Sequence, residues 1–248
     1  AEGPRDATLR PGWLANDGSY YTALDLKLSK GWKTYWRAPG EYGYPPKIEY
    51  NGSTNLQKVE TIWPAPIVFG SDNMKTIGYL EHLVLPIKLT PIDAAQPIKL
   101  ELSAQLGICL DICVPIFLSF SQQLDPLQQS ADPETLLALE HQPVPRAQSN
   151  LQNLDCTFTP HEDAILITIG AAIPSLGAHE TLIIEYKQQN HWIIMEPTRR
   201  DGPMLHALGY LTDDTGAAPL SISRQKIQIT VIGSLGAADL GDCTAQPG

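Results

Sequence analysis

Two cysteines four positions apart, Cys109 and Cys113, lie between two runs of alternating apolar and polar residues, and this arrangement constrains the chain more than any other feature. In one straight strand, residues four apart sit about 13 Å from each other, beyond disulfide reach. For the two sulfurs to act together, the backbone has to reverse over Leu110, Asp111 and Ile112. The flanks supply the two arms. Residues 98–104 (IKLELSA) alternate as a strand, and 114–124 (VPIFLSFSQQL) read as a second one. The pattern predicts a β-hairpin whose closed end presents Cys109 and Cys113 to each other and to solvent.

The chain holds four cysteines, and the other two, Cys156 and Cys243, are far apart in sequence. An even count fits two disulfides in an oxidising compartment. Chain-entropy reasoning separates the pairs. A bridge over a handful of residues contributes about 2 kcal/mol, whereas one closing the loop from Cys156 to Cys243 contributes roughly 4.6 kcal/mol. The long bridge reads as a staple, and the short one is better suited to opening and closing. The short pair has three readings on its own: thiol–disulfide exchange, an inert bridge, or a metal site. Zinc wants four ligands, and no second close cysteine pair is present. Copper(I) needs only the two thiolates, with Met74 or His82 as a further ligand.

The net charge of -10 excludes a nucleic-acid binder, which needs a basic face to displace counterions, and argues against docking on an anionic membrane. No segment is long and apolar enough to span a bilayer; the best stretch, 164–178, is interrupted by Pro174. The opening AEGPRDATLRPGW is compatible with a mature end left by cleavage at a small residue.

Short alternating segments separated by turn signals run through the first half: 20–28, 47–50, 59–63 and 83–89. The stretch 31–46 (GWKTYWRAPGEYGYPP), dense in glycine, proline and aromatics, reads as an ordered, turn-rich connection. Asp132, Pro133 and Glu134 open a helix as N-cap, first position and first-turn acid; Pro143 and Pro145 close it. Strand signals resume at 164–169, 181–187, 191–195 and 226–232. The expected organisation is all-β, with two antiparallel sandwiches, 1–128 and 150–248, joined by a connector at 129–149 with a short helix.

Several dispersed motifs then agree. The segments GWKTYWRAPGEYGYPP (31–46), WPAP (63–66), GYLEHLVLPIKL (78–89) and CLDICVP (109–115) resemble, in order and spacing, the N-terminal periplasmic domain of the DsbD-type transmembrane disulfide reductases, and especially their copper-sensitivity branch. The resemblance covers about residues 20–125. It implies an immunoglobulin-like sandwich, placed in the periplasm of a Gram-negative bacterium as part of an inner-membrane protein. Electrons would come from a membrane domain of the same full-length protein. They would pass through Cys109 and Cys113, without a cofactor, to a periplasmic thioredoxin-like disulfide isomerase. By this analogy Cys109 attacks and Cys113 resolves. A copper(I)-binding or copper-tolerance module using the same two cysteines is the alternative.

The family shields its cysteines with an aromatic cap loop. The resemblance places that loop at Ile67, Val68, Phe69 and Gly70, with Phe69 over the sulfurs and Gly70 as the hinge. Ala65 and Pro66 stand where the DsbD cap carries carboxylates. Tyr35, Trp36, Tyr42 and Tyr44 form an aromatic group near the motif, of which Tyr42 and Tyr44 are candidates for the partner-facing side. Trp32 and Trp63 are expected in the core. Asp111, between the cysteines, would raise thiol pKa as a neighbouring negative charge. Arg37 is a candidate to brace the loop through Glu41 or Glu81.

Overall fold

The computed structural model describes residues 4–70, 74–219 and 221–244. It divides into two compact units, one formed by residues 1–66 and 76–142, the other by 67–75 and 143–248.

The first unit is a two-sheet β-sandwich. One sheet contains β1 (Pro4–Leu9), β2 (Trp13–Leu14), β3 (Tyr20–Leu28), β6 (Leu56–Thr61) and β9 (His82–Pro91). Its order is β1-β3-β9-β6, with β2 also on β3. The other sheet contains β4 (Lys33–Tyr35), β5 (Lys47–Glu49), β8 (Thr76–Leu80), β10 (Ile98–Cys109) and β11 (Cys113–Leu124). Here β11 pairs with β10, β10 with β4, and β4 with β8, while β5 also pairs with β10. Alternation along the strands selects the core. Leu24, Leu26, Leu85, Ile87 and Leu89 from the first sheet are fully buried, as are Ile98, Leu100, Leu106 and Ile108 of β10.

The other face of β3 is covered as well, which explains why this strand is buried almost throughout. The helix α1 (Pro133–Glu140) packs against β9. Asp132 caps it by accepting the Thr135 amide at 2.9 Å. The same carboxylate takes two hydrogen bonds from Arg10, at 3.0 Å from Nε and 2.8 Å from Nη2. Arg10 also donates to the buried Asp25 at 3.2 Å, and His82 Nε2 lies 2.8 Å from the other Asp25 oxygen. The helix is thus fastened to the first unit by an ion-paired cap. His82 is spent on this network, so the structure gives it a bracing role in the other sheet from the cysteines.

In the second unit, β12 (Val144–Pro145), β15 (Thr181–Tyr186), β19 (Ile227–Gly233) and β20 (Gly236–Gly241) form one sheet, in which β12 runs parallel to β20. The other holds β13 (Asn153–His161), β14 (Ala164–Ala172), β16 (His191–Met195), β17 (Arg199–Asp201) and β18 (Met204–Asp213). The core between them is aliphatic: Ile167, Ile169, Leu205 and Leu211 meet Leu182, Ile184, Ile229, Val231 and Leu240. Cys156, on β13, is bonded to Cys243, just beyond β20, so the bridge ties the first long strand of the unit to its end. The short strand β7 (Ile67–Phe69) belongs to this unit by the division above. Among the described residues, no helix is long and apolar enough to cross a membrane.

Candidate functional site

The hairpin of β10 and β11 is paired over its whole length, from Ile98 opposite Leu124 to Cys109 opposite Cys113. The register puts the two cysteines directly across from each other, and they are joined as a disulfide. Leu110, Asp111 and Ile112 make the turn, all three exposed. One sulfur-bearing residue is enclosed and the other is not: Cys109 is 1% exposed, whereas Cys113 is exposed.

The enclosure of Cys109 follows from what lies beside β10. Even-numbered residues of this strand point into the sandwich, so odd-numbered ones, Cys109 included, point to the outer face. Over most of the strand that face is exposed or half-buried, as at Ser103 and Gln105. Near the hairpin's end it is covered. Strand β4 pairs with β10 so that Lys33 lies opposite Cys109 and Thr34 opposite Ile108. Thr34 donates its hydroxyl to the Gly107 carbonyl at 2.9 Å. Tyr44 lies against Gly107 so closely that a Cβ there would meet the Tyr44 Cβ at 2.4 Å. The Tyr44 hydroxyl accepts a hydrogen bond from the Gln105 amide group.

Tyr35 shares the face of Lys33, two residues before it in β4, and reaches the cysteines. Its hydroxyl lies 2.9 Å from Cys109 Sγ and 3.1 Å from Cys113 Sγ. The sequence placed Tyr35 among the aromatics near the motif but did not give it this contact. The segment 31–46 is also more than a turn-rich connection, since three of its residues form β4. The glycines and prolines around them hide the strand, although Lys-Thr-Tyr between Trp32 and Trp36 has the β-branched and aromatic content of one.

The turn before β4 is braced by the bend that joins β8 to β9. Glu81, in the left-handed region at φ 64°, accepts the Gly31 amide at 2.7 Å. Gly31 itself has φ 80°, and a Cβ there would approach Leu110 Cδ1 to 3.3 Å. Glu81 therefore supports the ground on which the cysteine turn rests. Arg37 stacks over the Trp36 ring at 4.2 Å, and Trp36 is fully buried. Trp32 is buried too, and Trp63 is half-buried and stacked on Tyr79.

The structure brings Cys109, Cys113, Tyr35 and Tyr44 together on β10, β11 and the chain around β4. Tyr42 is exposed at 54% in the same connection. Val68 and Phe69 are half-buried in β7, and Gly70 follows them at φ 87°. A Cβ at Gly70 would meet the Met74 carbonyl oxygen at 2.4 Å, so only glycine fits there. These three residues fall in the second unit, with Met74. Among the described residues, no group of three or more His, Cys, Asp or Glu side chains is arranged to hold a metal ion.

Comparison with known proteins bears on this site. Residues 6–123 match the family described as "Thiol:disulfide interchange protein DsbD, N-terminal". The crystal structure of the N-terminal periplasmic domain of ScsB from Proteus mirabilis aligns with a TM-score of 0.68 and 21% identity, over 100% of each chain. At that identity the likeness speaks for the fold of the whole chain, both units included. No curated protein sequence matches.

Proposed function

Because residues 6–123 belong to the N-terminal domain family of the thiol:disulfide interchange protein DsbD, we propose that the chain is the periplasmic electron-relay portion of a transmembrane disulfide reductase. Cys109 and Cys113 are its working pair. The observation that carries this reading is the disulfide at the closed end of the hairpin, with one cysteine enclosed and the other open to solvent. A relay needs one reachable sulfur and a second one held close enough to displace the partner.

Electrons arrive from a membrane domain of the same full-length protein and reduce the disulfide to two thiols. The Cys113 thiolate then attacks one sulfur of an oxidised thioredoxin-like partner, a disulfide isomerase of the periplasm. The partner's disulfide breaks, a mixed disulfide forms, and the displaced sulfur leaves as a thiolate that takes up a proton. Cys109 loses its proton, and its thiolate attacks Cys113 Sγ. The intramolecular disulfide re-forms, and the partner's second thiolate is released. Two electrons have moved from the domain to its partner.

Giving the attack to Cys113 reverses the analogy drawn from sequence, and the reason is access. A partner cannot approach Cys109 at 1% exposure, but it can approach Cys113. Around Cys113, Leu110, Ile112 and Val114 are exposed at 48%, 77% and 43%, an apolar rim suited to a docking protein. Tyr42 and Tyr44, in the connection that follows β4, stand on the partner-facing side.

Mixing the reduced chain with an oxidised periplasmic thioredoxin-like protein tests the reading. Rapid reduction of the partner, one disulfide per chain, is expected. Absence of exchange, with stoichiometric copper(I) uptake lost in Cys109→Ser, would replace it by the copper-binding alternative.

A further inference from the structure

Tyr35 is 2% exposed, yet its hydroxyl is directed at the two sulfurs, 2.9 and 3.1 Å away. In the disulfide neither sulfur carries a hydrogen, so the phenol O–H is the donor. A disulfide sulfur is a weak acceptor, whereas a thiolate accepts a charge-assisted hydrogen bond roughly twice as strong as a neutral one. The hydroxyl is therefore placed where its bond strengthens once the pair is reduced.

We propose that Tyr35 is a catalytic hydrogen-bond donor that stabilises the thiolate of the reduced pair, first on Cys113 during attack and then on Cys109 during resolution. The inference rests on reading Cys109 and Cys113 as the redox pair and adds a residue to that site. Its position between both sulfurs lets one group serve both steps without a change of rotamer. Burial pushes the Tyr35 phenol above its ordinary range, so it keeps its proton while the thiols titrate.

Among the described residues, other charged and titratable groups stand near the pair. Lys33 lies opposite Cys109 in the register and favours a thiolate; its ammonium is 3.4 Å from the Thr76 hydroxyl. Asp111, exposed in the turn, disfavours one. The Glu81 carboxylate is taken by the Gly31 amide, and the Tyr44 hydroxyl by Gln105. None of these groups is bonded to the Tyr35 hydroxyl, so removing that single oxygen isolates its contribution.

The test is Tyr35→Phe in the reduced chain, reading the alkylation rate of the cysteines against pH, with mass spectrometry to assign each one. Loss of a hydrogen bond to a charged group corresponds to a rise of about one to two units in the thiol pKa, a ten- to hundredfold smaller thiolate fraction below it. The expected result is that midpoint shift with the high-pH plateau rate unchanged. A purely structural role would move the plateau, which reports access, and leave the midpoint in place. Thr34→Val, which removes the neighbouring hydroxyl on the Gly107 carbonyl, should leave the midpoint unmoved. Superimposable midpoints for wild type and Tyr35→Phe would overturn the proposal. The readout needs no partner protein. A shifted midpoint in a chain that exchanges with no partner would retain the Tyr35 role and discard the relay.

Discussion

Gly107→Ala is expected to destabilise the first unit, although the same change in an open strand would help. Gly107, within β10, does not adopt a positive φ, so its backbone is one that any residue can take. On backbone grounds alone, adding a methyl group would stabilise the protein by about 0.4–1 kcal/mol through a less flexible unfolded chain. The site decides otherwise. The new Cβ would stand 2.4 Å from Tyr44 Cβ, 2.7 Å from Cγ and 3.0 Å from Cδ1. The nearest of these is the atom attached to the Tyr44 backbone, so rotating the ring cannot relieve the clash, and the chain at Tyr44 has to move. Overpacking of this kind costs about 1–3 kcal/mol. The net loss is therefore centred on about 1.3 kcal/mol, within a range of roughly 0–2.6 kcal/mol. Urea denaturation of Gly107→Ala, Tyr44→Gly and the double variant measures it as a cycle. In the Tyr44→Gly background the Cβ and the ring are both gone, and Gly107→Ala should turn neutral or stabilising. An equal cost in both backgrounds would refute the claim that Tyr44 is what Gly107 makes room for.

Two further perturbations separate scaffold from chemistry. Cys156→Ser should lower the stability of the second unit by up to roughly 4.6 kcal/mol by loop entropy, read by calorimetry, while the reduced chain still exchanges with its partner at the wild-type rate; a loss of exchange in a folded variant would give this bridge a redox role. Acid should unfold the chain through its buried ion pairs. Burial pushes Asp132 up, but hydrogen bonds from Arg10 and Thr135 outweigh it and hold the carboxylate below its usual range. Glu180 is likewise raised by burial and lowered overall by Arg200 and the Leu176 amide. A depressed folded pKa means stability that is present above the unfolded value, about 4 for these side chains, and is lost as pH falls through the folded one. Arg10→Met and Arg200→Met should flatten that acid limb in denaturation curves taken across pH; unchanged slopes would show that these pairs carry none of it.

The hairpin was readable from sequence because two physical signals agreed there, the period of two on both flanks and the inability of a straight strand to bring residues 109 and 113 together. Helix α1 was readable from Asp132, Pro133 and Glu134. Its attachment was not, since Arg10 lies 122 positions from Asp132 and neither carries a sign of the other. The same limit hid the centre of the site. Strand β4 is only three residues long, and its identity comes from pairing with β8 and β10, not from its own pattern. With β4 unseen, Tyr35 remained one aromatic among several, and the cover that encloses Cys109 could not be inferred. The resemblance to the DsbD family located the pair; which sulfur is open to a partner emerged from the cover over β10. Gly70 entered through the resemblance as a hinge, and the structure adds a separate reason for glycine there, a left-handed φ beside the Met74 carbonyl.

The central claim is that Cys113 is the sulfur that meets the partner and Cys109 the one that releases it. Incubating reduced Cys109→Ser and Cys113→Ser chains with an oxidised periplasmic thioredoxin-like protein, and identifying trapped covalent complexes by mass spectrometry, tests this directly. The account predicts a stable mixed disulfide through Cys113 in Cys109→Ser and none in Cys113→Ser. A complex trapped through Cys109 in Cys113→Ser would reverse the assigned roles, and no complex in either variant would contradict the relay itself.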